Sequence, residues 1–253
     1  MYDVFTGPEA QGNPCGVVEL NKWLSDNELK AIATEFEVPV TSFIVQSGKH
    51  FDIRWFTPRN EINLCGHGSV GAGAALLSKY SLDQVLLHSP HGNVLIRQRS
   101  DLYSIEMPSW DGVSALIPKA LSAMVSEPVD YFTTRDQVIV LQSVDAVIKF
   151  QSEDDTLRQM KDYHALIVTA QDGPSGYALR YFAPNIGISE DRATGSAQCS
   201  LAPYWFRKLG VNALSVRQLS SAGGYFEVEK KSDDKITIYA HAELRRALEK
   251  VGV

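Results

Sequence analysis

Short runs in which apolar and polar residues alternate, or in which β-branched residues cluster, recur between Gly, Pro, Asn and Ser. They predict a strand at the N-terminus over Met1–Thr6, then Gly16–Leu20, Ser42–Gln46, Phe51–Phe56, Val85–His88, Val94–Gln98 and Leu102–Met107. Two helical patterns interrupt them. Ser25 with Glu28 three residues later reads as a capping box, and Leu29, Ile32, Ala33 and Phe36 share one face of Asp26–Phe36. Gly68–Tyr80 is rich in Gly and Ala, so it is expected to be central, buried and closely packed.

Pro108, Gly112, Pro118 and Pro128 break the pattern, which places a boundary near 108–116 and two parts over 1–112 and 113–253. Beyond it, strands are predicted at Gln137–Leu141, Ala146–Phe150, Ala165–Ala170, Tyr177–Phe182, Leu214–Leu219, Tyr225–Lys230 and Lys235–His241. Helices are predicted near Glu153–Tyr163, over Gly195–Leu209 and at the end, over Glu243–Lys250. Strand runs with one long helix per half point to an α+β fold. The strict strand–helix–strand alternation of a Rossmann fold is missing, and GxxxxGK[ST] does not occur, which argues against nucleotide binding.

Composition narrows the class. The chain has 253 residues, 44% hydrophobic and 21% charged, enough to bury a core without disulfide or metal staples. A net charge of −6 argues against a nucleic-acid surface. No apolar run reaches the length of a membrane span, and no basic segment precedes an apolar one at the start. A cytoplasmic protein is expected. Cys15, Cys65 and Cys199 are too widely spaced for a disulfide framework or a zinc pair, and the six histidines are scattered, so no metal site is expected.

The most informative pattern is a repeat. Arg54-Trp55-Phe56-Thr57-Pro58 recurs 126 positions later as Arg180-Tyr181-Phe182-Ala183-Pro184. Each copy leads into a glycine-containing loop that opens a helix: Cys65-Gly66-His67-Gly68 in the first, Asp191 to Gly195-Ser196-Ala197 in the second, with Cys65 matching Asp191. Such a loop presents unpaired N–H groups and the positive end of the helix dipole, a seat for a carboxylate. Two loops facing one another could hold an anionic small molecule between proton-carrying groups, Cys65 and His67 on one side and Asp191 on the other. Ordinary helix capping by Asp191 or Thr194 is the plainer alternative. Arg54 and Arg180 suit either a carboxylate or structural pairing with Glu61 and Glu190.

The sequence resembles the PhzF-like phenazine-biosynthesis proteins along its whole length. The resemblance is carried by Gly12-Asn13-Pro14, by Arg54–Pro58 with Cys65-Gly66-His67-Gly68, by Tyr181–Pro184 with Glu190-Asp191 and Ala193–Ala197, and by Gln218 with Ser221-Ala222-Gly223-Gly224. It implies a diaminopimelate epimerase-like fold: two similar halves, each a curled, mostly antiparallel sheet around a central helix, with the active site between them. It implies isomerase chemistry without a cofactor, a small carboxylate substrate and a homodimer. His67 and Asp191 take the family's proton-handling positions. Gly66, Gly68, Gly195 and Ser196 supply substrate-binding backbone.

One position departs. The family's Ser-Glu-Thr-x-Phe run matches Pro39-Val40-Thr41-Ser42-Phe43, which puts Val40 where the acid/base glutamate belongs. Valine cannot move a proton. Three readings follow: Cys65 serves as the base, as a thiol at a helix N-terminus; His67 and Asp191 suffice; or the chain has become a small-anion binding or regulatory protein. Glu35 and Glu37 could replace the glutamate only on a different loop path.

Overall fold

The computed structural model describes residues 1–48, 50–160 and 163–245. It is a mixed α/β chain that divides into two compact units, Met1–Glu106 with the segment from Tyr239 on, and Met107–Ile238.

The first unit begins with β1 (Tyr2–Thr6), β2 (Asn13–Leu20), α1 (Asp26–Glu35), β3 (Val40–Ser47), β4 (His50–Phe56) and β5 (Glu61–Ile62). It continues with α2 (Gly66–Tyr80), β6 (Gln84–Ser89), β7 (Gly92–Arg99) and β8 (Leu102–Pro108). The sheet runs β1-β2-β3-β4-β6-β7-β8, with β5 on β4. Strands β2 and β3 are parallel, as are β4 and β6, while β3 and β4 are antiparallel. Helix α1 starts at the expected capping box: the Ser25 hydroxyl accepts from the Glu28 N–H and the Glu28 carboxylate accepts from the Ser25 N–H. Leu29 and Ala33 carry its buried side onto Phe43, Val45 and Phe56.

Helix α2 packs against β1, β2, β3, β6 and β7. Its small residues are what permit that. A Cβ on Gly71 would stand 2.3 Å from Cys15 Sγ, and one on Gly73 would stand 2.5 Å from the Ile96 side chain. The helix is central and buried, as its composition predicts.

The second unit contains β9 (Val113–Ser114), α3 (Lys119–Ser122), β10 (Asp130–Thr133), β11 (Gln137–Val140), α4 (Val144–Lys149) and α5 (Asp154–Gln159). There follow β12 (Leu166–Gln171), β13 (Gly176–Phe182), a 3-10 turn at Pro184–Ile186, α6 (Ala197–Leu209), β14 (Ala213–Gln218), β15 (Gly224–Lys230) and β16 (Lys235–Leu244), whose residues from Tyr239 on belong to the first unit. Strands run β16-β15-β14-β13-β12-β11-β10-β9. The pairing around β3 and β4 recurs here: β12 and β13 are antiparallel, flanked by parallel β11 and β14.

Three expectations change. Ala146–Phe150 is not a strand; α4 covers it as far as Lys149, with Phe150 as the C-cap, because Ser143 caps the Ala146 N–H and Asp145 sits in the first turn. The end of the chain does not stay with the second part. Strand β16 pairs antiparallel with β1, Tyr2 opposite Leu244 and Val4 opposite Ala242. Of the helix expected over Glu243–Lys250, residues 243–244 belong to β16 and 246–250 lie outside the described residues.

Candidate active site

The first glycine-containing loop ends at Cys65, the N-cap of α2. The thiol accepts from the Gly68 N–H at 3.3 Å, and the Cys65 carbonyl accepts from the Ser69 hydroxyl at 2.6 Å. Among the described residues, the N–H groups of Gly66 and His67 find no protein acceptor. They are the open donors expected at a helix start. Gly68 is fixed by space: a Cβ there would meet Ser42 Oγ at 2.8 Å, Trp55 Cδ1 at 3.1 Å and Cys65 Sγ at 3.2 Å. The Ser42 hydroxyl donates to the Gly68 carbonyl at 2.9 Å, tying β3 to the loop.

His67 stands beside the thiol, its Nδ1 3.4 Å from Cys65 Sγ. Desolvation lowers its pKa to about 4, although part of the residue remains accessible. The imidazole is therefore neutral at pH 7 and works as a hydrogen-bonding and proton-accepting group rather than a fixed cation. Cys15 lies deeper, fully buried, with its Sγ 3.8 Å from the His67 carbonyl oxygen. Burial pushes that thiol far up, so it stays protonated.

Val40 opens β3, buried, directly opposite Cys15 on β2. Alternation gives residues 40, 42 and 44 the same face, and Ser42 on that face bonds α2. Position 40 is thus on the side of the sheet that carries the loop, and it holds a valine. Glu35 ends α1, and Glu37 follows in a turn with φ 52°; both residues are exposed. Neither shares β3's register, so neither takes the place of position 40.

The second loop is held by a chain of amides. Gln218, buried at the end of β14, accepts from the Thr194 N–H at 2.7 Å and donates to the Asp191 carbonyl at 2.8 Å. Gln198 donates to the Thr194 carbonyl at 3.1 Å and accepts from the Tyr177 hydroxyl. The Asp191 carboxylate accepts from the Thr194 hydroxyl at 2.6 Å, so Asp191 does have a capping-type contact within the loop. The N–H groups of Gly195, Ser196 and Ala197 have no acceptor among the described residues. Each unit thus carries one loop with open donors and a proton-carrying side chain next to it. Among the described residues no three His, Cys, Asp or Glu side chains gather as a metal-ligand set.

The repeated arginines are structural in both copies. Arg54 holds Glu61 with two bonds of 2.7 and 2.6 Å and lies over the Phe56 ring at 5.0 Å. Arg180 holds Glu190 with two bonds of 2.7 and 3.0 Å and lies over Phe182 at 4.9 Å. Each pair clasps the loop between the strand and the glycine-containing segment.

The profile of the PhzC-PhzF family, described as phenazine biosynthesis-like protein, matches residues 2–246. The chain belongs to this family. An uncharacterized isomerase of Vibrio cholerae is 59% identical over 98% of the chain and 88% of its own length. A PhzC/PhzF phenazine biosynthesis protein of Clostridium difficile has a solved structure that superposes with a TM-score of 0.91, at 30% identity over 99% of this chain and 98% of that one. A hydroxyproline epimerase of Agrobacterium vitis, 13% identical, shares the fold alone, with a TM-score of 0.61 over 95% of this chain and 89% of its own.

In this PhzC-PhzF chain several residues of the second loop's surroundings escape sequence reasoning. Arg135 donates to Ser196 Oγ at 3.2 Å and to the Tyr181 hydroxyl at 3.1 Å, and it clasps Asp136, whose side chain is wholly buried. The one available signal is a charged pair, Arg135-Asp136, set immediately before the predicted strand Gln137–Leu141.

Proposed function

We propose that this PhzC-PhzF protein is a cofactor-independent isomerase or epimerase that moves a proton on a small carboxylate-bearing substrate. The two loops act together on one molecule. Open N–H groups at Gly66 and His67 and at Gly195, Ser196 and Ala197 bind its anionic groups. Gly68 lets the first loop sit tightly on β3. One of the groups Cys65, His67 and Asp191 takes a proton from carbon and another returns it at a different position or face, so the step is redox-neutral. The observation that carries the reading is the matched pair of loops, a thiol and neutral imidazole beside one and a carboxylate beside the other. The names of the relatives, an isomerase and a phenazine biosynthesis protein, support the same class. The reading includes two similar halves with the substrate between them, and a homodimer.

Val40 favours a second reading. With an apolar side chain on the loop-bearing side of β3, the chain keeps its anion-binding backbone and loses one acid/base group, as a binding or regulatory protein would. Incubation in D2O with a panel of amino, hydroxy and dihydroaromatic acids separates the two. The isomerase reading expects carbon-bound deuterium in at least one acid, detected by mass spectrometry. Tight binding with no incorporation across the panel supports the binding protein.

A further inference from the structure

The second unit carries an open cavity of about 670 Å³ whose lining includes Arg135, Arg158, Tyr163, His164 and Asn185, with Ile186 as its apolar side. Its wall is built around one arginine. Arg135 is gripped by Asp136 through Nε at 3.1 Å and Nη2 at 2.9 Å, and its guanidinium lies 5.1 Å from the centre of the Trp110 ring. Asp136 is wholly buried, so this grip fixes the guanidinium in one pose. Nη2 also serves the Tyr181 and Ser196 hydroxyls, while Nη1 has no partner among the described residues.

The rest of the lining has the same character. Arg158 adds a second guanidinium, braced by Asp155 at 2.9 Å and Asp154 at 3.4 Å on its own helix. The His164 N–H donates to the Arg135 carbonyl at 3.3 Å, which holds the two segments together. The His164 ring and the Tyr163 hydroxyl make no hydrogen bond with any described residue. Among the described residues the lining contains no carboxylate; Asp136, Asp154 and Asp155, which brace the two arginines, stand behind it. A guanidinium fixed as that of Arg135 is, with a spare donor, matches the oxygens of a carboxylate or phosphate, and the half-exposed Arg158 adds a second charge.

We propose that this cavity is a second oxyanion site, for a phosphate or carboxylate group, formed by Arg135, Arg158, Tyr163 and His164 and distinct from the two glycine-containing loops. It does not depend on the isomerase reading. It touches the second loop at one point, the Arg135 bond to Ser196, so a bound oxyanion shares its guanidinium with that loop.

The test is calorimetric titration of the full chain with inorganic phosphate and, separately, with malonate, at ionic strength matched with sodium chloride. Saturable binding is expected, weakened roughly 10-fold or more in Arg158→Gln, the loss of one charge-assisted hydrogen bond. His164→Asn is expected to weaken it as well. Asp191→Asn and His67→Gln, which alter the loops, are expected to leave the Kd within about twofold, a difference too small for a lost hydrogen bond. Binding of one ion and not the other identifies the oxyanion the site takes. Lack of saturation by both ions, the same Kd in wild type and Arg158→Gln, or loss of binding in Asp191→Asn would each overturn the proposal. The D2O experiment reads carbon exchange and is indifferent to these outcomes, so the two readings fail separately.

Discussion

His67 shows how burial sets the state of a single residue. Desolvation holds its pKa at about 4, below the roughly 6.5 of a free imidazole. Between those values the unfolded chain binds a proton that the folded chain refuses. Stability must therefore fall as pH drops from about 6.5 towards 4, with this contribution fully present only above that window. Urea denaturation across the window is expected to show a shallower decline in His67→Gln than in wild type. An unchanged slope would mean that His67 is not desolvated. Arg180 makes a second residue-level case. Besides Glu190 it donates to the Phe150 carbonyl at 2.7 Å and the Ile148 carbonyl at 3.2 Å, at the end of α4. Arg54 has no such second duty, although it also reaches the exposed Asp26 at 2.8 Å. Arg180→Met should cost about 2–3 kcal/mol and Arg54→Met about 1–2 kcal/mol, measured by urea denaturation. These clasps are half legible in the sequence. The spacing of Arg54 to Glu61 and Arg180 to Glu190 suggests pairing, and the structure shows both pairs formed. Arg135 is not legible, because its partners Tyr181 and Ser196 lie 46 and 61 positions away.

Among the elements, α2 shows sequence and packing in agreement. Its glycines are spaced so that β2 and β7 approach its backbone. Gly71→Ala places a methyl against Cys15 Sγ, and overpacking of that kind costs about 1–3 kcal/mol. Adding Cys15→Ala removes the obstructing sulfur, so the double variant should regain much of the loss. Additive losses in thermal or urea denaturation would show that the clash is not what Gly71 avoids. The segment Ala146–Phe150 is the opposite case. Its apolar spacing over a few residues fits a strand as well as a helix. The deciding contact, the Ser143 hydroxyl under the Ala146 N–H, lies outside that apolar run.

At the scale of the whole molecule, the 126-residue repeat is the clearest signal in the chain, since the two copies alone mark both loops. The return of β16 to β1 has no such signature, because edge pairing between the two ends of a chain leaves no local trace. Nor does the repeat say whether the first loop works without a glutamate at position 40. If both loops act on one substrate, they form one catalytic unit, and removing either proton carrier should abolish the same reaction rather than part of it. The decisive measurement is deuterium incorporation from D2O into a turned-over carboxylic acid, compared among wild type, His67→Gln, Cys65→Ala and Asp191→Asn, each checked for folding by circular dichroism. Incorporation is expected with wild type, and its loss in Asp191→Asn and in at least one of the two first-loop variants. Incorporation that survives Asp191→Asn, or that survives both first-loop variants, would contradict a single catalytic unit.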